Sequence, residues 1–203
     1  MSSSSPGVPT GNTFDKYATT NPLERRMMDK FIATLDLFVG DAPPTRVLEV
    51  GLGEGVITRR LQNRFPSVPI VGIDLPDESL AERWQKNDIG SAFADATSLP
   101  FPDNAFDLVL AIEVFEHFDD PAAALREMAR VCSGRLVASV PLEPIWRIGN
   151  IARGRYMGSL GNTPGHVNHW GKRGFRNFVG QGFTIDDVAT PFPWTMVSAR
   201  PVT

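Results

Sequence analysis

The stretch Val47-Leu48-Glu49-Val50-Gly51-Leu52-Gly53-Glu54-Gly55 decides how the chain folds. It is an apolar run that ends in an acid and continues into glycines at alternate positions. This pattern predicts a buried β-strand and a tight turn, because glycine is needed where φ becomes positive or where a Cβ would collide with a ligand. A parallel strand, a glycine turn and then a helix form a cofactor site in open α/β sheets.

The spacing of the glycines restricts the kinds of cofactor that the turn is expected to bind. A dinucleotide-binding turn reads G-x-G-x-x-G, whereas this turn reads E-x-G-x-G-x-G, with the acid Glu49 ahead of the glycines. We therefore expect that the turn does not hold a pyrophosphate. A nicotinamide-dependent oxidoreductase is an alternative that this spacing disfavours.

Composition restricts the class of protein. The 203 residues suit one domain, and 42% hydrophobic with 21% charged residues is ordinary for a soluble protein. The net charge of −3 argues against a nucleic-acid partner. With Cys132 as the single cysteine there is no internal disulfide, so we expect a cytoplasmic location. We expect no secretory signal and no membrane span, and a monomer or homodimer.

The order of the predicted elements indicates the fold class. Apolar runs predict strands at 46–50, 69–74, 91–95, 106–112, 135–140, 183–189 and 195–200. Helical patterns are predicted at 22–40, 56–65, 77–87, 121–131, part of 142–155, and 173–180. This alternation predicts an α/β fold, a Rossmann-like, doubly wound, mostly parallel seven-stranded sheet with a C-terminal antiparallel strand pair. Residues 1–20 are expected to be a flexible tail and a potential lid. Residues 21–203 are expected to form one domain.

Four acids follow or end four successive predicted strands: Glu49, Asp74, Asp95 and Glu113. Ligands of open α/β sheets bind outside the carboxyl ends of the strands, where an acid can accept both hydroxyl groups of a ribose. One such acid alone could equally be a helix cap. The four together favour a cofactor site.

Two further segments carry a resemblance to a known family. They are Leu99-Pro100-Phe101-Pro102-Asp103-Asn104-Ala105-Phe106-Asp107-Leu108-Val109 and Ile112-Glu113-Val114-Phe115-Glu116-His117-Phe118-Asp119-Asp120-Pro121. With the glycine turn, they resemble the class I S-adenosylmethionine-dependent methyltransferases, in their small-molecule (type 11-like) branch. The resemblance covers about residues 46–140.

The resemblance implies S-adenosyl-L-methionine as cofactor, S-adenosyl-L-homocysteine as product, and a set of binding residues. The glycines would let the backbone approach the methionine and ribose, Glu49 would hold the ammonium group, and Asp74 would hold the ribose diol. Leu75, Asp95 and Ala96 would contact adenine, while Glu113 and His117 would border the cofactor pocket. The implied cofactor-binding residues are Tyr17, Glu49, Gly51, Gly53, Gly55, Asp74, Leu75, Asp95, Ala96, Glu113 and His117.

The methyl acceptor is expected to meet the segment at about 142–180, a substrate cap. His166 and His169 are the predicted catalytic residues, since histidine can deprotonate an acceptor near neutral pH. The predicted substrate-binding residues are Trp146, Tyr156 and Trp170, whose rings can pack a planar acceptor. Packing roles are open for all five. No metal site is expected, because His-x-x-His lacks a third placed ligand.

The sequence therefore predicts methyl transfer to an O, N or C atom of a small molecule, with a secondary metabolite as one such acceptor. The alternative is a protein of the same fold that binds the cofactor and serves as a regulatory or scaffold protein without transferring a methyl group. Basic residues such as Arg153 and Arg155 leave an anionic acceptor open.

Overall fold

A computed structural model describes residues 20–202, so the predicted tail up to residue 19, including Tyr17, lies outside the described residues. The helices are α1 (Pro22–Val39), α2 (Val56–Arg64), α3 (Glu78–Lys86), α4 (Pro121–Val131), α5 (Ile145–Ala152) and α6 (Lys172–Val179). The strands are β1 (Val47–Val50), β2 (Ile70–Asp74), β3 (Ser91–Phe93), β4 (Phe106–Ile112), β5 (Cys132–Pro141), β6 (Phe183–Ala189) and β7 (Trp194–Pro201). Short 3₁₀ turns span Phe115–His117 and Met157–Ser159.

The strands form one sheet in the order β3-β2-β1-β4-β5-β7-β6. Strands β1 to β5 pair in parallel, whereas β7 is antiparallel to both β5 and β6. In the central pairs, Val47 lies opposite Ile70 on one side and Leu108 on the other. The predicted fold class is confirmed, and the carboxyl ends of β1, β2 and β4 meet at one edge of the sheet.

Strand β4 shows why the apolar runs are continuous. Its alternating side chains enter two different core clusters, one containing Leu108 and Leu110 and the other Val109 and Ala111. Helices α1 and α2 cover the first face, and α4 and α6 cover the second. Because the strand is buried on both faces, its residues from 108 to 112 are all apolar, and the one acid, Asp107, lies near its start. Among residues 20–202, no helix is long and apolar enough to cross a membrane.

Helix α1 begins as the sequence predicts. The side chain of Asn21 accepts a hydrogen bond from the backbone N–H of Leu23 at 2.9 Å, and Pro22 occupies the first helical position. The buried face of the helix starts at Met28, and Leu23 in the first turn is 67% exposed.

The Leu99–Val109 segment has a structural explanation. The Arg130 guanidinium donates to the carbonyl oxygens of Leu99 and Phe101 at 3.0 and 2.7 Å, and Glu127 accepts from the Leu99 N–H at 2.8 Å. Helix α4 thereby holds the loop that precedes β4. Asp103 also forms an ion pair with Arg130 at 2.9 Å, and the Asp103 side chain is largely exposed.

Asp107 fixes the start of β1 against β4. Its two carboxylate oxygens accept the backbone N–H groups of Thr45 and Arg46, at 2.6 and 2.8 Å. Burial tends to raise the pKa of Asp107, but these hydrogen bonds together outweigh it and lower the pKa below its ordinary value. The stabilisation is therefore present above the pKa of the unfolded chain and is lost as the pH falls through the lower folded-state pKa.

Replacing Asp107 by Ala is expected to lower the free energy of unfolding by about 2–3 kcal/mol, because two backbone donors lose charged acceptors. The matched control is Asp103→Ala, whose exposed ion pair is worth less than about 1 kcal/mol. Urea unfolding at neutral pH measures both changes. Equal losses in the two variants would contradict the role of Asp107.

Candidate cofactor site

A cavity of about 410 Å³ opens at the carboxyl ends of β1, β2 and β4. Its size falls within the range of small-ligand sites, roughly 300–1,000 Å³. Glu49, Asp74 and Glu113 reach it from these strand ends, and Asp95 reaches it from just beyond β3. The structure therefore brings together the four acids that the sequence singled out.

The cavity wall is acidic. Its carboxylates are Glu49, Glu54, Asp74, Asp95, Glu113, Asp119 and Asp120, and among the described residues neither Lys nor Arg lines it. A cluster of one sign of charge raises the local concentration of counter-ions. The cavity therefore favours a cationic ligand and disfavours one that carries phosphate groups.

The glycine turn is held from several directions. The backbone N–H of Gly53 donates to the Asp74 carboxylate at 2.7 Å, and the Trp84 indole N–H donates to the Gly53 carbonyl at 2.7 Å. The N–H groups of Gly51 and Leu52 both donate to the Ile73 carbonyl at 2.9 Å. Hydrogen bonds within the chain thus hold the turn in place.

The glycines serve different purposes. A Cβ on Gly51 would approach the Val114 side chain to 2.5 Å, and a Cβ on Gly55 would overlap the Ile89 side chain. Gly51 and Gly53 line the cavity, whereas Gly55 does not. Gly55 is therefore required because the Ile89 side chain packs against it. The resemblance instead implied that Gly55 faces the cofactor.

Glu49 is an acid in a nearly dry environment. It is 3% exposed, and its carboxylate accepts a hydrogen bond from the Thr58 hydroxyl. Burial raises the pKa of Glu49 to about 8; the Thr58 hydrogen bonds oppose this rise, and the charge of Asp74 adds to it. Near neutral pH the side chain is therefore mostly protonated until a cation approaches it.

Asp74 and Asp95 are engaged in different ways. Asp74 accepts from the N–H groups of Gly53 and Leu75, and burial raises its pKa although these hydrogen bonds oppose the rise. Asp95 accepts from both the N–H and the hydroxyl of Thr97 at 2.8 Å, so it also caps its own turn. Leu75 and Ala96 line the cavity beside them, as the resemblance implies.

Glu113 has an unusual backbone conformation. Its φ is +57°, a left-handed value that is uncommon for a residue with a side chain and concentrates at functional sites. Ser139 holds it there, because the Ser139 carbonyl accepts its N–H at 3.1 Å and the Ser139 hydroxyl donates to its carboxylate at 3.0 Å.

The histidines are distributed differently from the prediction. His117 lines the cavity, and its ring meets that of His166 edge to face, with centroids 4.9 Å apart. His166 is buried behind His117 and does not line the cavity. His169 is exposed, with Nε2 2.7 Å from the Asn162 side-chain oxygen. The two predicted catalytic residues therefore have separate environments.

The predicted substrate-binding aromatics do not line the cavity. The Trp146 indole donates to the Thr163 hydroxyl at 3.0 Å and stacks beside His166. Trp170 packs on Phe175 and Phe178, with ring centroids 5.7 and 5.2 Å away. Tyr156 is half-buried in the left-handed region at φ +54°. The contacts of the two tryptophans fit packing roles.

Sequence reasoning missed Thr58, Trp84, Glu116 and the contact between His117 and His166. Of these residues, only Thr58 could have been found from the sequence, because it lies on the first turn of the helix that follows the glycines. Trp84 is otherwise an ordinary apolar position of α3, and its bond to the turn depends on how that helix packs.

The doubly wound sheet, the E-x-G-x-G-x-G turn and the acidic cavity resemble those of class I S-adenosylmethionine-dependent methyltransferase domains. Residues 48–136 match a protein-family model described as "Methyltransferase domain". The resemblance predicted from the sequence is confirmed.

Two curated relatives and one solved structure similar to this chain are also methyltransferases. The chain is 33% identical to a malonyl-[acyl-carrier protein] O-methyltransferase of Geobacter sulfurreducens, over 58% of this chain and 44% of the relative. It is 32% identical to a 27-O-demethylrifamycin SV methyltransferase of Amycolatopsis mediterranei, over 60% and 46%. Magnesium protoporphyrin IX methyltransferase of Synechocystis, solved with bound S-adenosylhomocysteine, has the same fold at TM-score 0.65, with 17% identity over 91% and 89%. The chain thus spans less than half of these two curated relatives.

Proposed function

We propose that this protein transfers the methyl group of S-adenosylmethionine to an O, N or C atom of a small molecule. The acidic cavity beside the glycine turn is the observation that carries the proposal. S-adenosylmethionine is a cation without phosphate, so the carboxylates that would repel a dinucleotide attract it. When bound, it supplies a sulfonium methyl group with a neutral thioether as the leaving group.

The residues of the cavity fit the parts of this cofactor. Glu49, which is buried and accepts a hydrogen bond from the Thr58 hydroxyl, is suited to the ammonium group. Asp74 lies at the end of β2, where an acid can accept the hydroxyl groups of a ribose. Leu75, Asp95 and Ala96 provide an apolar wall and an acceptor for adenine.

The chain's own contribution to the transfer is alignment and exclusion of water. The acceptor would approach from the side of His117 and the 142–180 segment, which we propose as a substrate cap. The roles of His166 and His169 as general base remain a prediction, and His166 could act on the cavity only through or past His117. The two curated relatives are named for different molecules, so both malonyl-[acyl-carrier protein] and 27-O-demethylrifamycin SV are candidate acceptors to test.

A cytoplasmic monomer or homodimer without a nucleic-acid partner is part of the same proposal. The net charge of −3 supports the absence of a nucleic-acid partner, and the single buried Cys132 supports the cytoplasmic location.

Titration calorimetry with S-adenosylmethionine, S-adenosylhomocysteine and NAD⁺ tests the cofactor. We expect the first two to bind and NAD⁺ not to bind. Asp74→Ala should weaken binding by about 10- to 100-fold, because a ribose would lose a charged acceptor. The control is Asp41→Ala, an exposed acid that does not line the cavity, which should bind like the unchanged protein.

Transfer itself is tested by incubation with candidate acceptors and mass spectrometry for the gain of one methyl group in place of hydrogen. Transfer that Asp74→Ala slows and Asp41→Ala does not would support the proposal. Preference for NAD⁺ over S-adenosylmethionine, or an Asp41→Ala variant as impaired as Asp74→Ala, would contradict it.

A further inference from the structure

Three side chains with metal-binding atoms meet behind the cofactor cavity. They are Glu116, His117 and His166, and one ligand atom from each lies within 4.8 Å of the other two. Glu116 is 2% exposed and His166 is 9% exposed, so the cluster is largely shielded from water. Ligand atoms around a tetrahedral zinc ion lie about 3.4 Å apart, given bonds of about 2.1 Å. Side-chain adjustments on the order of 1 Å would therefore close the site.

The hydrogen bond of His117 prepares its ring as a ligand. Its Nδ1 lies 2.9 Å from the Gly165 carbonyl oxygen. Since a carbonyl oxygen can only accept, Nδ1 carries the proton and the neutral ring has its lone pair on Nε2. A second ring nitrogen bonded to a backbone carbonyl is the usual support of a metal-binding histidine.

The backbone holds the two halves of the cluster together. The N–H groups of Val167 and Asn168 donate to the Glu116 carbonyl at 2.9 and 3.1 Å. The Asn168 side-chain amide donates to the Phe118 and Phe115 carbonyls at 2.6 and 3.2 Å. The 3₁₀ turn of Glu116 and the loop of His166 are thus fastened on either side of the cluster.

We propose that Glu116, His117 and His166 form a binding site for one divalent transition-metal ion, with zinc as its representative. Two imidazoles and one carboxylate suit zinc, iron, cobalt or nickel better than magnesium or calcium, which prefer all-oxygen sites. Three protein ligands leave at least one coordination position open for water or for a donor atom of another molecule.

The position of the site gives the ion a role next to the cofactor. His117 belongs both to the cluster and to the cavity wall, so the ion would lie on the side where the 142–180 segment meets the cavity. An open position there can hold an oxygen or nitrogen atom of the acceptor. Metal binding itself does not depend on methyl transfer, and it is testable whether or not the proposed function holds.

The test is titration of the full-length, chelator-treated protein with Zn²⁺ by calorimetry and with Co²⁺ by visible absorption, whose band intensities report the coordination number. We expect one ion per chain. Glu116→Gln, His117→Ala and His166→Ala should each weaken binding by at least about tenfold, a loss that even supporting residues of metal sites produce. Zinc should also raise the unfolding temperature of the unchanged protein more than that of these variants.

The chain supplies a matched control. His169 is the only other histidine, is exposed, and is outside the cluster. His169→Ala should therefore bind zinc within about twofold of the unchanged protein, as surface substitutions elsewhere do. Circular dichroism of each metal-free variant establishes that it is folded. Absence of stoichiometric binding, or folded cluster variants that bind as tightly as His169→Ala, would overturn the site and leave an ordinary hydrogen-bonded group of side chains.

Discussion

Replacing Glu49 by Gln should stabilise the cofactor-free protein and weaken its binding of S-adenosylmethionine. Folding transfers the Glu49 carboxyl group from water to a site where it is 3% exposed and where burial raises its pKa to about 8. Gln has nearly the same shape and keeps an oxygen that can accept from the Thr58 hydroxyl. The substitution therefore removes the cost of burying an acid without opening a cavity.

The stabilisation depends on pH in a direction that follows from the pKa. Below the unfolded-state pKa of 4.5, Glu49 is protonated in both the folded and the unfolded protein, so its ionisation does not change the free energy of unfolding. As the pH rises from there to about 8, the unfolded chain increasingly favours the ionised form and the folded protein loses stability. The advantage of Glu49→Gln should grow over this interval to about 3 kcal/mol at pH 7. Urea unfolding between about pH 5 and pH 8 measures this difference.

Binding should change in the opposite direction. A cation beside Glu49 favours the ionised carboxylate, so binding of the cofactor near pH 7 should release a proton. Affinity of the unchanged protein should rise by up to about tenfold per pH unit between pH 6 and pH 7.5, below the titration of the cofactor's own α-amino group. Calorimetry in buffers of different ionisation enthalpy counts the proton. Glu49→Gln should bind more weakly and lose this component.

Glu54→Gln is the control for the stability measurement. Glu54 lines the same cavity but pairs with Arg83 at 2.7 Å, and that arginine is half exposed. An exposed ion pair of this kind is worth less than about 1 kcal/mol, so its variant should show little change in stability. A pH-independent difference between Glu49→Gln and the unchanged protein would contradict the ionisation argument, and unchanged affinity would contradict contact with the ammonium group.

Much of the fold could be predicted because its signals are local. The largely apolar run of β4 ends at the acid Glu113, and its predicted range of 106–112 agrees with the structure. The predicted ends of strands were less accurate where pairing with a neighbouring strand sets them. Strand β5 begins at Cys132, ahead of the predicted 135, because Cys132 pairs with Phe106. Strand β3 stops at Phe93, where its pairing with Asp74 of β2 ends.

The site could be predicted only where topology alone decides it. Acids at the ends of parallel strands must meet at one edge, so Glu49, Asp74 and Glu113 could be placed together without coordinates. The meeting of His117 with His166 depends on the path of a loop, which Asn168 fastens to the 3₁₀ turn. Sequence spacing instead paired His166 with His169, and the structure gives these two histidines different partners.

Replacing Gly53 by Ala should impair cofactor binding far more than stability. The φ of Gly53 is +50°, and an added Cβ would meet no protein atom within 4 Å. The cofactor-free protein would therefore lose only about 1–2 kcal/mol from the left-handed conformation. Because Gly53 lines the cavity, the new methyl group would stand against a ligand that lies on the turn. We expect a loss of affinity of about 30-fold or more, or at least ~2 kcal/mol of binding free energy.

Gly154→Ala separates the effect on stability from the effect on binding. Gly154 has a left-handed backbone conformation like that of Gly53 but lies elsewhere in the structure. Gly154 has φ +68°, an added Cβ would again meet nothing within 4 Å, and the residue does not line the cavity. Both variants should thus lose similar free energies of unfolding, while only Gly53→Ala should lose affinity for S-adenosylmethionine and S-adenosylhomocysteine. If the two variants bound the cofactor equally well, the backbone of the turn would not be in contact with it. The acids alone would then have to account for recognition.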